Sequence, residues 1–308
     1  MQGPLDGILV ADLTRYLPGA FASRELLRLG ARVVRLESPE GDPMRRTAPE
    51  WHAELNGGKE SVVVDLPRDA DFARALLARA DAVLESFRPG VAARLGVGPD
   101  AVPETCVYCS ITGFGVGTEH EQRAGHDLNY LGFAGVLEPT APALPPVQAA
   151  DLAAGALGAV TEILAALIAR RGGHIVVSMT HRAYPLAARA PVLTAGYACY
   201  SIYETADGRH LTVGALEPKF FARLCDLLGR PELAERQYDA DQAPLRSELS
   251  TAFAQRPLAD WLALFGGNDV CVGPVATREE AAQFAPPSLG PAPDLGAHTE
   301  RWHAEVGV

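Results

Sequence analysis

Short apolar runs alternate with helical segments along the first third of the chain, and this alternation constrains the fold more than any other feature. Each pair of runs and the helix between them form a βαβ unit. Such units build parallel sheets that carry helices on both faces. We therefore predict an α/β fold with a Rossmann-like, open and mostly parallel sheet. The predicted strands are residues 7–13, 31–37, 61–66, 81–87 and 105–111, and further on 174–179.

The pattern changes after residue 199, where two strand-like segments flank the turn sequence Ala206–Arg209. Turn residues between two such segments indicate a β-hairpin, and helical patterns follow. We therefore predict a large α/β domain at 1–199, a smaller α+β domain at 200–280, and a tail at 281–308 that returns to the large domain.

The charge and the apolar pattern exclude several classes of protein. A formal net charge of −11 over 308 residues opposes general nucleic-acid binding, which needs a positive field. The first residues lack the basic and apolar regions of a signal peptide. No apolar run is expected to approach the ~20 residues of a membrane span. These features predict a cytoplasmic protein without a membrane or nucleic-acid partner.

The cysteines are consistent with that compartment. Cys106 and Cys109 fall in a predicted strand, where positions three apart face opposite ways. The pair is therefore poorly placed to hold one metal ion, and no second ligand pair follows at zinc spacing. We predict buried structural thiols in a reducing compartment, and no metal site.

The segment Gly125–Tyr130 places a histidine, an aspartate and an asparagine within four residues, just before a long apolar region. Polar chemistry of this density is typical of an active-site segment. The same residues also fit a loop that enters a helix, with Asp127 as the N-cap. These residues alone leave both interpretations open. The preceding Gly113–Gly117 lacks the G-x-G-x-x-G spacing and is predicted to be a flexible loop.

A long helix is predicted to begin at Asp151. Leu157, Val160, Leu164 and Leu167 recur at helical spacing and predict one continuous buried stripe. Considered alone, Asp151 fits an N-cap better than a catalytic group.

Several short motifs occur in order along most of the chain: Asp12–Thr14 with Leu17–Gly19, Leu29–Glu37, Asn56–Lys59, Ser86–Gly90 with Leu95–Gly96, Thr112–Gly115, Tyr203–Gly208 and Gly273–Val275. Together they resemble the family III CoA-transferases, which include formyl-CoA transferase, the carnitine CoA-transferases and α-methylacyl-CoA racemase. Each motif is weak alone, but the ordered set is strong. The resemblance implies that family's fold, an acyl-CoA substrate and an interlocked homodimer. Coenzyme A would be part of the substrate, with no tightly bound cofactor.

Two segments, Gly125–Tyr130 and Gly214–Phe220, resemble the racemase branch of the family. That resemblance implies His126, Asp151 and Glu217 as the catalytic set. The transferases use one essential aspartate at the start of the long helix, which Asp151 also matches. The implied function is exchange of the α-proton of a 2-methyl-branched acyl-CoA by a racemase or epimerase. The alternatives are a CoA-transferase that forms an anhydride at Asp151, and a non-catalytic protein that binds acyl-CoA or an acyl carrier.

Racemisation beside a thioester needs a base on one face of the α-carbon and an acid on the other. Imidazole and carboxyl groups are suitable because both can be tuned toward neutral pH. We expect His126 and Asp151 to supply them, and Glu217 to orient His126 or share its proton. Unpaired N–H groups at the start of the helix are expected to stabilise the enolate oxygen.

The phosphates of coenzyme A need positive partners. Several arginines lie in loops or at strand ends of the first domain, where open α/β sheets bind ligands. The segment Ser86–Arg88 also resembles the family's adenine-side loop. The predicted CoA-binding residues are Arg35, Arg45, Ser86, Phe87, Arg88 and Arg94.

Two regions depart from the family's pattern, because the chain is shorter than its relatives at 178–200 and at 280–296. In the family these regions help to form the linkers between domains and subunits. Their shortening leaves open whether the interlocked dimer and the activity are retained.

Overall fold

A computed structural model describes residues 3–307 of the chain. These residues divide into two units, each with its own hydrophobic core. The first unit comprises the chain up to Ala187 together with the segment from Pro287 onward, and the second comprises Ala188–Pro286.

The first unit follows the predicted alternation of strands and helices. Its strands are β1 (Leu9–Asp12), β2 (Arg32–Glu37), β3 (Glu60–Val63), β4 (Ala82–Glu85), β5 (Val107–Thr112) and β6 (Gly173–Ser178). Its helices, numbered along the whole chain, are α1 (Tyr16–Arg28), α2 (Met44–Thr47), α3 (Pro49–Asn56), α4 (Ala70–Leu77), α5 (Val91–Arg94), α6 (Asp127–Phe133), α7 (Gly158–Ala169), α8 (Met179–Ala183) and α12 (Thr299–Val306).

Within residues 3–307, the sheet of the first unit has six parallel strands in the order β3-β2-β1-β4-β5-β6. Strand β1 lies between β2 and β4, where Val10 pairs with Val33 on one side and with Ala82 on the other. The order of the strands therefore reverses at β1. The predicted Rossmann-like parallel sheet is confirmed, and sheets of this kind bind ligands at the reversal point.

Both faces of the sheet carry a hydrophobic core. Cys109 belongs to the core that includes residues of α1 and α7, and Cys106 belongs to the core that includes α4 and Trp302. Burial raises the pKa of each thiol to about 12, so neither is a thiolate at neutral pH. The prediction of buried structural thiols on opposite faces is confirmed.

The C-terminal helix α12 covers the sheet at its β3 edge. The hydroxyl oxygen of Thr299 accepts the backbone N–H of Val63 at 3.0 Å, and the indole N–H of Trp302 donates to Glu60 at 2.6 Å. An uncovered edge strand presents free N–H and C=O groups to other chains. The tail therefore protects the strand on which it packs.

The long helix differs from its prediction at its start. Residues Ala150–Leu157 are π-helical and continue directly into α7. A π segment changes the number of residues per turn, so it shifts the phase of the helix surface. Leu157 is 44% exposed whereas Val160 is 7% exposed. The predicted buried stripe is therefore wrong at its first position, while Leu164 and Leu167 pack against the core.

The same helix also contradicts the expectation about apolar runs. Ala150–Ala169 has 20 residues with a mean hydropathy of 2.0, which by length and composition alone would suffice to cross a membrane. Asp151 and Glu162 are its charged residues. About 39% of its apolar window is buried, and Ala154 and Ile163 pack in the core of the first unit. Core helices of folded domains can have the same length and apolar composition.

The second unit is an antiparallel sheet with helices. Its elements are β7 (Tyr200–Glu204), β8 (His210–Gly214), β9 (Val272–Pro274), α9 (Pro218–Leu227), α10 (Ala243–Phe253) and α11 (Leu258–Phe265), with strand order β7-β8-β9. The predicted hairpin is confirmed, since Tyr203 pairs with Leu211. The unit begins at Ala188 rather than at residue 200, because Ala198 and Cys199 are fully buried in its core.

Candidate active site

A cavity of about 500 Å³ opens at the point where the strand order reverses. Its walls come from the segments that follow the carboxyl ends of β1 and β4, from the end of β5, and from the start of the π-helical segment. This is the position at which doubly wound sheets bind their ligands. His126 and Asp151 both line this cavity.

The segment Gly125–Tyr130 forms the entry to α6. His126 is the N-cap, in extended conformation, and its backbone N–H donates to the Asn129 side chain at 3.0 Å. The Tyr130 hydroxyl donates to the Gly125 carbonyl at 2.5 Å. A Cβ atom on Gly125 would lie 2.8 Å from the Tyr130 ring, so this close return of the chain requires glycine. The structure thus gives the N-cap to His126 and not, as one interpretation had it, to Asp127.

Asp127 instead caps the next helix along the chain. Asp127 is 2% exposed, and its carboxylate accepts the backbone N–H of Asp151 at 2.8 Å. Burial raises the pKa of Asp127, and the hydrogen bonds from the backbone at Asp151 and Ala150 oppose this rise. Helix starts leave such N–H groups without intrahelical partners. The contact ties the histidine segment directly to the start of the π-helical segment.

Asp151 has a free and perturbed carboxyl group. Within residues 3–307 its side chain makes no hydrogen bond and no ion pair, so it does not serve as an N-cap. Burial, and then the negative charge of Asp127, raise its pKa to about 7. A carboxyl group with such a pKa can donate or accept a proton near neutral pH. The arrangement therefore suits acid–base chemistry.

The expected enolate-stabilising N–H groups at this helix start are already occupied. The Asp151 N–H is bonded to Asp127, and the Leu152 N–H donates to the Gln148 carbonyl at 2.9 Å. This expectation is therefore corrected, because an enolate oxygen would have to displace the Asp127 carboxylate to use the Asp151 donor.

Three of the predicted CoA-binding residues, Ser86, Phe87 and Arg88, line the cavity. The Ser86 hydroxyl accepts the backbone N–H of Arg15 at 3.2 Å, which joins the loops that follow β4 and β1. A second cavity of about 280 Å³ shares Arg15 and Phe87 with the first. A long ligand could therefore extend from one cavity into the other past these two side chains.

Arg35 and Arg45 are both paired with carboxylates inside the protein. Arg35 is 1% exposed, donates to Asp42 at 2.9 Å and lies 3.6 Å from Asp12. Burial lowers the pKa of Arg35, but these carboxylates and Glu37 outweigh it, so the pKa is raised. Arg45 forms a bidentate pair with Glu37. Because both guanidinium groups are already paired inside the protein, we correct their assignment as phosphate ligands.

Two further predicted residues are not among those that line the cavity. Arg94 is exposed at the end of α5 and does not line it. Glu217 belongs to the second unit, where it is the exposed N-cap of α9, and its side chain makes no capping hydrogen bond. The predicted role of Glu217 stays a prediction.

Sequence reasoning missed Arg15, Tyr16 and Arg123, which also line the cavity. Arg15 and Tyr16 follow β1, so the end of that strand was a usable signal. Arg123 precedes Gly125–Tyr130 by two positions, and proximity to that segment was its only signal.

Comparison with known proteins identifies the family. Residues 5–287 match the family described as CoA-transferase family III. The chain belongs to this family.

The family III relatives of the chain include two kinds of enzyme. The chain is 34% identical to the alpha-methylacyl-CoA racemase of Homo sapiens over 309 residues, which cover 90% of this chain and 78% of the racemase. It is 30% identical to the succinyl-CoA:glutarate CoA-transferase of Mus musculus over 321 residues, covering 90% of this chain and 73% of the transferase. The crystal structure of a CAIB/BAIF family protein from Brucella suis matches with a TM-score of 0.84 at 27% identity, covering 99% of this chain and 100% of that chain. The predicted family III fold is confirmed.

Proposed function

We propose that this chain is an acyl-CoA racemase or epimerase that exchanges the α-proton of a 2-methyl-branched acyl-CoA thioester. The observation that supports this most strongly is the pairing of His126 and Asp151 in one cavity, with the pKa of Asp151 raised to about 7. The similarity to alpha-methylacyl-CoA racemases supports the same reaction.

The proposed reaction is a pair of proton transfers. One of the two groups, as a base, removes the proton from the α-carbon, and the electron pair moves into the thioester carbonyl to give an enolate. The other group, as an acid, returns a proton to the opposite face of the same carbon. Reversing the roles of His126 and Asp151 reverses the direction of epimerisation. Glu217 is proposed to assist His126.

The proposed substrate is a thioester of coenzyme A, and the CoA moiety is the part that the protein would bind. The two adjoining cavities could hold a long ligand, with Phe87 and Arg15 at the passage between them. Arg88 is exposed and unpaired within residues 3–307, so its guanidinium group is available to a phosphate.

Deuterium uptake tests the proposal. Each α-epimer of a 2-methyl-branched acyl-CoA is incubated with the protein in heavy water, and the α-deuterium is measured by mass spectrometry. Wild-type protein and the surface control Asp100→Asn should exchange the α-proton of both epimers, whereas His126→Ala and Asp151→Asn should not racemise. Absence of exchange with wild-type protein over a series of branched acyl-CoA substrates would overturn the proposal.

CoA transfer is the second candidate, favoured by the unpaired Asp151 carboxyl group and by the transferase relatives. The Asp151 carboxylate would attack the thioester carbonyl carbon, the C–S bond would break, and the CoA thiolate would leave a mixed anhydride. Hydroxylamine would trap this intermediate as a hydroxamate. Transfer that persists in His126→Ala would favour this reading over proton exchange. Binding of acyl-CoA with neither reaction would indicate a non-catalytic protein.

We also propose that the chain acts as a homodimer, as its family resemblance implies. Leu157, Ile168 and Val176 are 44%, 84% and 38% exposed on the first unit, and a second copy would remove this apolar surface from water. Sedimentation analysis should therefore give a dimer, which Ile168→Glu should weaken. A monomer at high concentration would contradict the proposal.

A further inference from the structure

Tyr16 has a backbone conformation that tyrosine rarely adopts. It is the first residue of α1, and its φ angle is +64°. Left-handed conformations are unfavourable for bulky residues, and they persist where the surrounding structure determines them. Such residues are concentrated at functional sites. Tyr16 is 48% exposed, so burial of the residue does not explain the conformation.

The buried ion network behind the cavity holds this turn on both sides of Arg15. Asp12 accepts the backbone N–H of Thr14 at 2.9 Å and its hydroxyl at 2.5 Å. Arg35 donates to the Thr14 carbonyl at 3.2 Å, and Asp42 accepts the Tyr16 N–H at 3.1 Å. These bonds involve charged groups in the interior, where hydrogen bonds are strong. The backbone of the turn is therefore fixed from within the protein.

The turn presents the Tyr16 ring to His126. The two rings meet edge to face, with their centroids 6.4 Å apart and their planes at 87°. This is a favourable geometry for aromatic groups. Within residues 3–307 Tyr16 is the aromatic residue that contacts the imidazole of His126, so its ring contributes to the orientation of the imidazole.

We propose that Tyr16 is a positioning residue for His126, held in a strained backbone conformation so that its ring sets the direction of the imidazole within the cavity. The inference rests on the proposed function, in which His126 transfers a proton on one face of the α-carbon. Tyr16 has no proton to transfer in this scheme. Substitution of Tyr16 should therefore slow the proton transfer by His126 and spare the transfer by Asp151, because Asp151 acts on the opposite face of the α-carbon.

Four variants separate positioning from structural support. Tyr16→Phe keeps the ring, Tyr16→Leu keeps apolar bulk without the ring, and Tyr16→Gly removes both while relieving the backbone strain. The fourth variant, His126→Ala, identifies the epimer whose exchange depends on the imidazole. Tyr16→Gly should unfold at a temperature no lower than wild type, so that any loss of exchange cannot be attributed to a weakened fold.

The first readout is the exchange of each α-epimer in heavy water. Tyr16→Leu and Tyr16→Gly should slow the epimer that His126→Ala identifies by on the order of ten- to a hundredfold, since small displacements of a reacting group have effects of this size. Exchange of the other epimer should change far less, and Tyr16→Phe should restore the wild-type ratio. Equal slowing of both epimers, or no slowing of either, would overturn the inference.

The second readout needs no activity and therefore separates failure of this inference from failure of the proposed function. The ring proton signals of His126 are followed by NMR in the free protein at one fixed pH. Loss of the Tyr16 ring in Tyr16→Leu should shift these signals, and Tyr16→Phe should keep them near their wild-type positions. Unchanged His126 signals in Tyr16→Leu would overturn the inference even if wild-type protein racemises its substrate.

Discussion

The cavity and the ion network behind it are neighbouring regions of the first unit, and they use charged side chains in opposite ways. In the network, Asp12, Arg35 and Asp42 are at most 2% exposed, and each contacts a charged partner. In the cavity, the carboxyl group of Asp151 has no partner within residues 3–307, and its pKa is raised to about 7. Both regions contain charged or titratable side chains. They differ because those of the ion network are paired, whereas the Asp151 carboxyl group in the cavity has no partner.

The strongest test of this contrast is Asp151→Asn. We expect racemisation to fall by about three orders of magnitude, because general acid–base groups contribute factors of about 10²–10⁴. The fold should remain intact, since the side chain makes no hydrogen bond within the described residues. Exchange kinetics and circular dichroism measure the two effects. Retained racemisation would remove Asp151 from the proposed mechanism.

Substitution in the ion network should instead lower the stability of the fold. Arg35→Met leaves Asp12 and Asp42 buried without their shared cation, and we expect the free energy of unfolding to fall by about 3–5 kcal/mol. Urea denaturation measures the change. Arg74→Met is the control, because the Arg74 and Asp71 side chains are 46% and 88% exposed and solvent can compensate for the loss of their ion pair. Equal losses in the two variants would contradict the importance of burial.

The contrast also predicts a pH dependence of stability. Between about pH 4 and pH 7 the folded chain keeps a proton on Asp151 that the unfolded chain has released, so the contribution of this group to stability falls as pH rises. Relative to wild type, the free energy of unfolding of Asp151→Asn should therefore rise by about 2–4 kcal/mol from the bottom to the top of this window. This range follows from about 1.4 kcal/mol per pKa unit, reduced because solvent has some access to the group. No further gain is expected above pH 8. A difference between Asp151→Asn and wild type that stays flat across this window would contradict the raised pKa of Asp151.

The smallest expected effect separates two exposed arginines. Arg88 lines the cavity and Arg94 does not. Arg88→Gln should raise the KM for an acyl-CoA substrate by on the order of tenfold, the size expected for one charged hydrogen bond. Arg94→Gln should change KM by less than about twofold. Comparable KM values for the two variants would show that the phosphates bind elsewhere.

Most of the fold follows from local pattern. The apolar runs of the first unit and the turn at Ala206–Arg209 determine the sheet and the hairpin. The π-helical start at Ala150 does not follow from pattern, because its residues carry an ordinary helical spacing. The exposed Leu157 shows the consequence, since the expected stripe assumes 3.6 residues per turn throughout.

The site was predictable in part, and for a similar reason. The dense polar segment at His126 and the acid at Asp151 are visible in the sequence, and both line the cavity. Arg35 was misassigned because sequence position does not show that Asp12 and Asp42 enclose its guanidinium group. Tyr16 was missed because its importance depends on a φ angle and a ring contact, neither of which its neighbours in sequence reveal.

The π-helical segment allows the two ends of the long helix to diverge independently. A π segment has more residues per turn than the α-helix that follows it, so loss of one residue between Ala150 and Leu157 would change the direction of Asp151 relative to α7. The packing of α7, including buried Ile163, would remain in place. Deletion of a single codon during evolution could therefore abolish the reaction, while the protein stays folded and still binds its ligand. Within a lineage that carries such a deletion, the length of this segment would distinguish active members from inactive ones even where the aspartate is present.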